Sequence, residues 1–447
     1  MLNIPEFNVI QQEQNEHFYR FTVECKEPPY MCTSCGWINR SDEDAPDMAF
    51  RPHQVKERTV SDIAMHGKAV RIVIRHRRYK CPACGGTFYE WLNSVERNDK
   101  VTKRFKEHIQ LLSLKRPFTN VADEYGLSHT SVKRYFEEFV VEKDDDKYIQ
   151  APRVLGIDEA HLNKVMRGVF TDTENFKLLE ISKDNTKKTV KEVIQSMRGY
   201  EKIEVATIDM AAGYKYAIQE LIPKCFIVID KFHVVKYAQE ALRDIRVTIK
   251  KGLTKEERKL LTKDRWLLHS NKENLSWNEA LKRNEIFERF PLLKQAYWLK
   301  EGVRDVYNQS KNKQEALERF AKWESEIPKE FKEFKAIRRT FNNHKEEIFN
   351  YFEHPFTNAF TESMNNIIKS VEKEGKGYSF DVLRAKVLYG TEATIKKPKY
   401  DHDMEFKSFS FESEEEFNRY YDEVENKFVS LGVDLTTLSE VLERGDF

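Results

Sequence analysis

The chain has 447 residues, too many for a single compact core and enough for about three domains. Charged residues form 33% of it and hydrophobic residues 40%, and no uncharged apolar run reaches the roughly eighteen residues of a membrane span. The N-terminus lacks a signal-peptide pattern, so these features argue against a membrane or secreted protein, and we expect a cytoplasmic location.

The formal net charge of +1 conceals an uneven distribution of charge along the chain. Residues 71–140 contain 14 lysines and arginines against 8 acidic residues, a net charge of +6. Residues 401–447 contain 4 against 14, a net charge of −10. Only the first segment can attract the phosphates of a nucleic acid, although a charged stretch is more often a solvated surface.

Four of the six cysteines form two C-x-x-C-G motifs, namely Cys32, Cys35, Cys81 and Cys84. The two thiolates of such a motif can converge on one cation, while the glycine permits the tight turn. Together the motifs would supply the four ligands of one closed, structural Zn²⁺ site. The 45 residues between them exceed the roughly 15 to 20 of a zinc ribbon, so an insertion must loop out there. Two unrelated cysteine pairs are the alternative.

A β-branched run interleaved with cations covers residues 71–80. This pattern predicts a strand that presents Arg75, Arg77 and Arg78 to DNA phosphates. An ordinary exposed strand is the alternative.

A helix is predicted over residues 101–116, and the pattern of residues 119–140 is typical of a helix-turn-helix. Ala122 is the small residue at the helix crossing, and Gly126 lies in the turn. Ser128 would cap the second helix, whose first turns would meet base edges. The side chains predicted to face DNA are His129, Thr130, Ser131, Lys133 and Arg134. A three-helix core that does not bind DNA is the alternative.

After a polar linker over residues 141–150, three strands and then alternating helices and strands indicate a ribonuclease H-like α/β fold. Three predicted strands end in an aspartate: Asp158, Asp209 and Asp230. If the first and fourth strands pair in parallel, Asp158 and Asp209 become neighbours, and close carboxylates favour Mg²⁺ or Mn²⁺. A single strand-end aspartate is more often a helix cap. For Asp230 the roles of helix cap and of a further acid beside the metal stay open, and His233 shares that ambiguity.

Residues 248–345 predict an all-α insertion with tryptophans as core anchors, namely Trp266, Trp277, Trp298 and Trp323. The helix predicted after it has one apolar face and one polar stripe that carries Glu362, Asn365, Asn366 and Lys369. Packed on the sheet, this helix would direct Glu362 towards the metal site, and Asn366 and Lys369 towards DNA.

Together these segments resemble bacterial insertion-sequence transposases of the ISL-three type, over about residues 25–390. The resemblance is carried, in order, by the paired cysteine motifs, the helix-turn-helix, Leu155-Gly-Ile-Asp158-Glu, Thr207-Ile-Asp209-Met, Asp230-Lys-Phe-His233, Asn358-Ala-Phe-Thr-Glu362-Ser-Met-Asn365 and Gly377-Tyr-Ser-Phe380. It implies a DDE triad of Asp158, Asp209 and Glu362 that holds two Mg²⁺ or Mn²⁺ ions and both cleaves and joins DNA strands. It also implies the nucleoid of a bacterium as location, double-stranded element ends and target DNA as partners, and a homodimer on DNA.

The predicted organisation therefore has six segments: a zinc-binding DNA-binding module (1–98), the helix-turn-helix (99–148), the first part of the catalytic core (149–247), the helical insertion (248–345), the second part of the core with the glutamate helix (346–395) and an acidic helical tail (396–447). Two other functions stay open on sequence grounds. One is a catalytically inactive, transposase-derived DNA-binding regulator, and the other is a ribonuclease H-like nuclease specific for DNA structure.

Overall fold

The computed structural model describes residues 2–39, 49–210 and 212–391, so the predicted acidic tail lies outside the described residues. The described chain forms two compact units. The first contains residues 2–149, His161–Arg167 and residues 364–391, and the second contains Gln150–Ala160 and Gly168–Ser363.

The first unit begins with a five-stranded sheet built from β1 (Phe7–Gln14), β2 (Phe18–Cys25), β3 (Arg51–Met65), β4 (Lys68–Lys80) and β5 (Thr87–Tyr89). Its order is β1-β2-β4-β3, and β5 also pairs with β4. Alternate residues of β4, Val70, Ile72 and Ile74, are buried in the core of the sheet. The antiparallel β3–β4 hairpin pairs Arg51 with Lys80, next to Cys81. This hairpin is the insertion that separates the two cysteine motifs.

Three helices follow, α1 (Lys103–Lys115), α2 (Phe118–Tyr125) and α3 (His129–Asp145). Gly126 ends α2 with φ 63°, a left-handed conformation that glycine adopts without steric cost. The Ser128 hydroxyl accepts the Ser131 amide at 3.1 Å and so caps α3, as predicted. Ala122, Val132 and Tyr135 are buried where the helices meet.

The α/β part of the chain contains a five-stranded sheet, a two-stranded sheet of β6 and β10, and two helices. In chain order its elements are β6 (Ile149–Gln150), β7 (Val154–Leu162), β8 (Val165–Asp172), β9 (Lys177–Ile181), α4 (Lys187–Ser196), β10 (Met197–Arg198), β11 (Val205–Ile208), α5 (Ala212–Leu221) and β12 (Phe226–Ile229). The sheet order is β12-β11-β7-β8-β9, and β11 runs parallel to both β7 and β12. The predicted parallel pairing of the first and fourth strands is confirmed. β7 continues to Leu162, however, so Asp158 lies within the strand and not at its end.

Every regular element within the described stretch 231–349 is helical. The helices are α6 (Lys231–Lys251), α7 (Lys255–Lys263), α8 (Arg265–His269), α9 (Trp277–Arg289), α10 (Pro291–Gln309), α11 (Lys313–Ser325), α12 (Lys332–Asn343) and α13 (Lys345–Phe349). Trp323 is buried as expected and donates to the Leu299 carbonyl at 2.8 Å. The same expectation was wrong for Trp298, which is 44% exposed, and for Trp277, which is 75% exposed. Trp277 is the first residue of α9, where no preceding turn lies beneath its ring.

The last described helices are α14 (Ala359–Gly375) and α15 (Phe380–Thr391). Val382 and Ala385 of α15 belong to the same buried core as the helix-turn-helix. Lys386, 3% exposed, donates to the carbonyls of Ser113 and Arg116 at the end of α1. Residues far along the chain therefore complete the helix-turn-helix core.

Among the described residues, the helices are all too short or too polar to cross a membrane.

Candidate active site and zinc centre

Three aspartates are aligned across neighbouring parallel strands of the second unit. Thr207 of β11 pairs with Gly156 of β7, and Ile208 of β11 pairs with Ile229 of β12. Continued in this register, Asp209 stands opposite Asp158 on one side and opposite Asp230 on the other. Adjacent strands lie about 4.8 Å apart, so the three carboxylates come from neighbouring positions on three adjacent strands.

Glu362 approaches the same cluster from the first turn of α14. Its Oε1 lies 3.9 Å from Nδ1 of His233, and that nitrogen lies 3.6 Å from Oδ2 of Asp230. Asp230, His233 and Glu362 each offer a ligand atom, and these atoms lie within 4.8 Å of one another. The glutamate helix and the end of β12 thus meet in one group of acids around a histidine.

The carboxylates of Asp158, Asp209, Asp230 and Glu362 lie close enough to repel one another. Burial raises the pKa of Asp158 to about 6, the charges of Asp209 and Asp230 act in the same direction, and the Glu159 amide and His233 oppose them. Burial and the Asp230 charge likewise raise the pKa of Glu362. The interaction with the Asp230 carboxylate raises the pKa of His233. Buried acids held together in this way favour a bound cation with a preference for oxygen ligands.

Asp230 caps a helix, one of the two roles that the sequence left open, and its second oxygen lies near the acids. Its Oδ1 accepts the Phe232 amide at 3.4 Å and so caps α6. Its Oδ2 is buried and has no hydrogen-bond partner among the described residues. A buried carboxylate oxygen without a donor suits a site that receives a cation.

Comparison with known proteins decides the family. A family profile for transposases of the ISL3 type matches residues 155–387, which is more than half of the chain and includes all the acids above. The chain belongs to the ISL3 transposases. A profile for the helix-turn-helix domain of this family matches residues 92–140, and one for the zinc finger of the IS204, IS1001, IS1096 and IS1165 transposases matches residues 47–84.

The transposase for insertion sequence element IS1001 of Bordetella parapertussis is 25% identical to this chain over 338 residues, which cover 73% of the chain and 82% of the relative. The predicted family, its DDE type and its DNA-binding helix-turn-helix are therefore confirmed. As a transposase it is a DNA-cutting and strand-transfer enzyme, and its DDE domain implies a divalent metal. Neither the inactive regulator nor the structure-specific nuclease is favoured.

The transposase also has a group of four cysteines that suits a structural zinc ion. The sulfur atoms of Cys32, Cys35, Cys81 and Cys84 lie within 4.8 Å of one another. Cys32 and Cys84 are 4.0 Å apart, and Cys35 and Cys81 are 3.7 Å apart. Four sulfurs bound to Zn²⁺ at about 2.3 Å are about 3.8 Å apart in a tetrahedron. Each motif closes through its glycine, since Gly36 and Gly85 have φ 73° and 70° and donate to the carbonyls of Cys32 and Cys81.

The three arginines of β4 that were predicted to contact DNA phosphates differ in exposure and in the contacts that they already make. Arg75 is exposed. Arg77 donates to Glu90 at 3.1 Å and to the Cys25 carbonyl at 2.6 Å, and so helps to hold the sheet of this transposase together. Arg78 lies over the ring of Tyr89.

The first turns of α3 contain five predicted DNA-facing residues of the transposase. His129, Thr130 and Lys133 are exposed, and Ser131 is half-buried. Arg134 is already engaged, because it donates to Asp99 at 2.7 Å and to Glu138 at 3.0 Å. Asn366 and Lys369 are both exposed on α14, in the first unit.

Sequence reasoning missed a group of buried, hydrogen-bonded polar residues next to the acids in the sequence of the transposase. Asn358, immediately before α14, donates to the Ile157 carbonyl and accepts the hydroxyls of Thr207 and Thr361. Thr361, in the first turn of α14, also bonds Thr171 of β8. Their only signal in the sequence is their place in the motif around Glu362, where the acid is the more conspicuous residue.

Proposed function

We propose that this transposase binds the ends of its insertion sequence, cleaves the DNA there and joins the freed ends to target DNA, with Asp158, Asp209 and Glu362 as the ligands of two Mg²⁺ or Mn²⁺ ions. The alignment of Asp158, Asp209 and Asp230 on neighbouring parallel strands carries this proposal, because it brings acids from distant parts of the sequence side by side. The strand order supports a ribonuclease H-like fold, and the helices over 248–345 support an all-α insertion before Glu362.

The residues of the site fit such ions. All three proposed ligands offer carboxylate oxygens, which Mg²⁺ and Mn²⁺ prefer. When bound, two ions would activate a water or a DNA 3′-hydroxyl and stabilise the leaving oxygen of an in-line displacement. Asp158 Oδ1 accepts the Glu159 amide at 2.8 Å, whereas the Glu362 side chain is 37% exposed and so remains accessible from solvent.

His233 would orient the acids from within the site. Its Nδ1 faces both Asp230 and Glu362, so the ring stands between the helix cap and the proposed ligand. A cationic imidazole there reduces the repulsion among the acids, while a neutral one offers a further ligand nitrogen. We propose Asp230 and His233 as auxiliary residues of the site.

The first unit would hold the element end. We propose that the exposed side chains at the start of α3 contact bases and that Arg75, Asn366 and Lys369 contact phosphates, with one structural Zn²⁺ holding the cysteine motifs together. An element has two ends, whereas the part of the chain that the structure describes contains one helix-turn-helix and one set of aligned acids. We therefore propose a homodimer on DNA.

A strand-transfer assay tests the proposal. The full chain is incubated with Mn²⁺, a plasmid target and short duplexes that carry the terminal inverted repeats flanking its coding region. We expect cleavage that leaves a 3′-hydroxyl on the repeat and covalent joining of that end to the plasmid. Tight binding of the repeats without cleavage would indicate a regulator instead, and cleavage of branched DNA irrespective of the repeats would indicate a structure-specific nuclease.

A further inference from the structure

A fully buried group of polar side chains lies behind the aligned aspartates in the second unit. It consists of Asn358 and Thr361 at the start of α14, Thr207 of β11 and Thr171 of β8, each 0% exposed. Buried polar groups are costly unless they are hydrogen-bonded, so their partners show what the group holds together.

Asn358 is the centre of this group. Its Nδ2 donates to the Ile157 carbonyl of β7 at 2.8 Å. Its Oδ1 accepts the hydroxyls of Thr207 at 3.0 Å and Thr361 at 2.9 Å. The opposite amide orientation would bring two carbonyl oxygens together at Ile157, so the orientation is fixed. Because Thr361 gives its only hydroxyl proton to Asn358, Thr171 must donate to Thr361, at 2.7 Å.

Each partner of Asn358 lies beside one acid of the triad. Ile157 immediately precedes Asp158, Thr207 stands two residues before Asp209, and Thr361 immediately precedes Glu362. The backbone carbonyl of Asn358 also accepts the Glu362 amide at 2.9 Å. A single side chain therefore links the three backbone segments that carry the acids.

We propose that Asn358 is a positioning residue that fixes the distance between Glu362 and the two aspartates, and so sets the metal affinity of the site. This inference rests on the proposed metal-binding function of the three acids. Metal sites need ligand positions held to about 0.5 Å by packing and supporting hydrogen bonds. Backbone pairing joins β7 to β11, while Asn358 connects the helix that carries Glu362 to both strands. Mutating a residue that orients metal ligands without binding the metal typically weakens metal affinity roughly 10- to 100-fold.

Gly156 of β7 leaves room for this polar group because it has no side chain. A Cβ atom there would lie 2.5 Å from Thr171 Oγ1 and 2.7 Å from Thr361 Oγ1. Any larger residue two positions before Asp158 would therefore separate the two hydroxyls or displace α14.

Mn²⁺ binding to the full chain tests the proposal, measured by electron paramagnetic resonance and, separately, through the dependence of DNA cleavage on Mn²⁺ concentration. We expect Asn358→Ala to weaken Mn²⁺ binding at least about tenfold, with cleavage partly restored by excess Mn²⁺. Thr361→Val keeps the shape of the side chain but loses the hydroxyl, and we expect it to act in the same direction. Thr361→Ser should recover most of the affinity.

Asn350→Ala is the matched control. Asn350 is also buried and donates to a strand carbonyl of the same sheet, that of Ile227 at 2.9 Å, but within the described part of the chain it makes no hydrogen bond to Asn358 or its partners. We expect this variant to lower the melting temperature and leave Mn²⁺ affinity within about twofold of wild type. If Asn358→Ala lowers only the melting temperature, as the control does, the positioning role is refuted. If Asp158→Asn and Glu362→Gln themselves keep wild-type Mn²⁺ affinity, the proposed metal site fails, and this inference fails with it.

Discussion

Oδ2 of Asp230 lies 3.6 Å from Nδ1 of His233, one turn further along α6, while Oδ1 of Asp230 caps that helix. Asp230→Asn separates the two roles, because asparagine caps a helix about as well as aspartate but carries no charge. We expect DNA cleavage to fall at least about tenfold and the free energy of unfolding to change by less than about 1 kcal/mol. Cleavage rates and thermal melting of the same preparation measure both. Cleavage at the wild-type rate together with an unchanged melting temperature would assign Asp230 to the cap alone.

Replacing the acids of the triad should separate catalysis from DNA binding. We expect Asp158→Asn, Asp209→Asn and Glu362→Gln each to abolish cleavage, because each removes a charged metal ligand, and to leave binding of end DNA nearly unchanged. The measurements are a cleavage assay and a gel-shift titration with duplexes of the inverted repeats. Asp244→Asn, at an exposed position on α6, should retain both activities. Near wild-type cleavage by any one of the three variants would refute the triad.

Local signals explain what the sequence predicted well. Ser128, Gly126 and the alternation in β4 act through their immediate neighbours, and the structure follows them. The alignment of Asp158 with Asp209 was also within reach, because the predicted parallel pairing of their strands sets them side by side, although β7 continues beyond Asp158.

Contacts between distant residues explain what the sequence did not predict. Nothing near Lys386 indicates that its ammonium will bind the carbonyls at the end of α1, some 270 residues earlier. The support of the acids by Asn358 similarly depends on a helix and two strands that meet only after folding. Polar residues with such roles have no periodic pattern, so their partners become visible only in three dimensions.

Zinc should be present at one ion per chain, because the four sulfurs have the spacing of a closed tetrahedral site. Elemental analysis of protein purified without chelator measures it. We expect Cys81→Ser/Cys84→Ser to lose the zinc and to unfold the strands around it, since a structural zinc site folds together with its ion. Cys225→Ser, outside the cluster, should keep one zinc. Zinc retained by the double variant, or absent from the wild type, would refute the site.

The last prediction distinguishes two neighbouring cations at the start of α3. Lys133 is exposed, and its one ion pair among the described residues is with Glu137, at 3.5 Å, one turn along its own helix. Arg134 instead binds Asp99, whose side chain is 3% exposed, and lies 4.7 Å from the centre of the Tyr135 ring. An arginine held in this way leaves a buried carboxylate short of a partner when it is removed, whereas the lysine is free to turn towards DNA.

We therefore expect Lys133→Ala to weaken end-DNA binding without changing the melting temperature. Arg134→Ala should lower stability by about 1 kcal/mol, between the contributions of an exposed ion pair and of a buried charged hydrogen bond. Titrations with end DNA and random DNA at several salt concentrations then assign the contact made by Lys133. A base contact costs about 1 to 3 kcal/mol on end DNA and relaxes the sequence preference, whereas a phosphate contact weakens both DNAs equally and reduces the salt dependence. If Arg134→Ala loses sequence preference at unchanged stability, Arg134 leaves Asp99 to read a base, and the arginine rather than the lysine is the residue that recognises the element end.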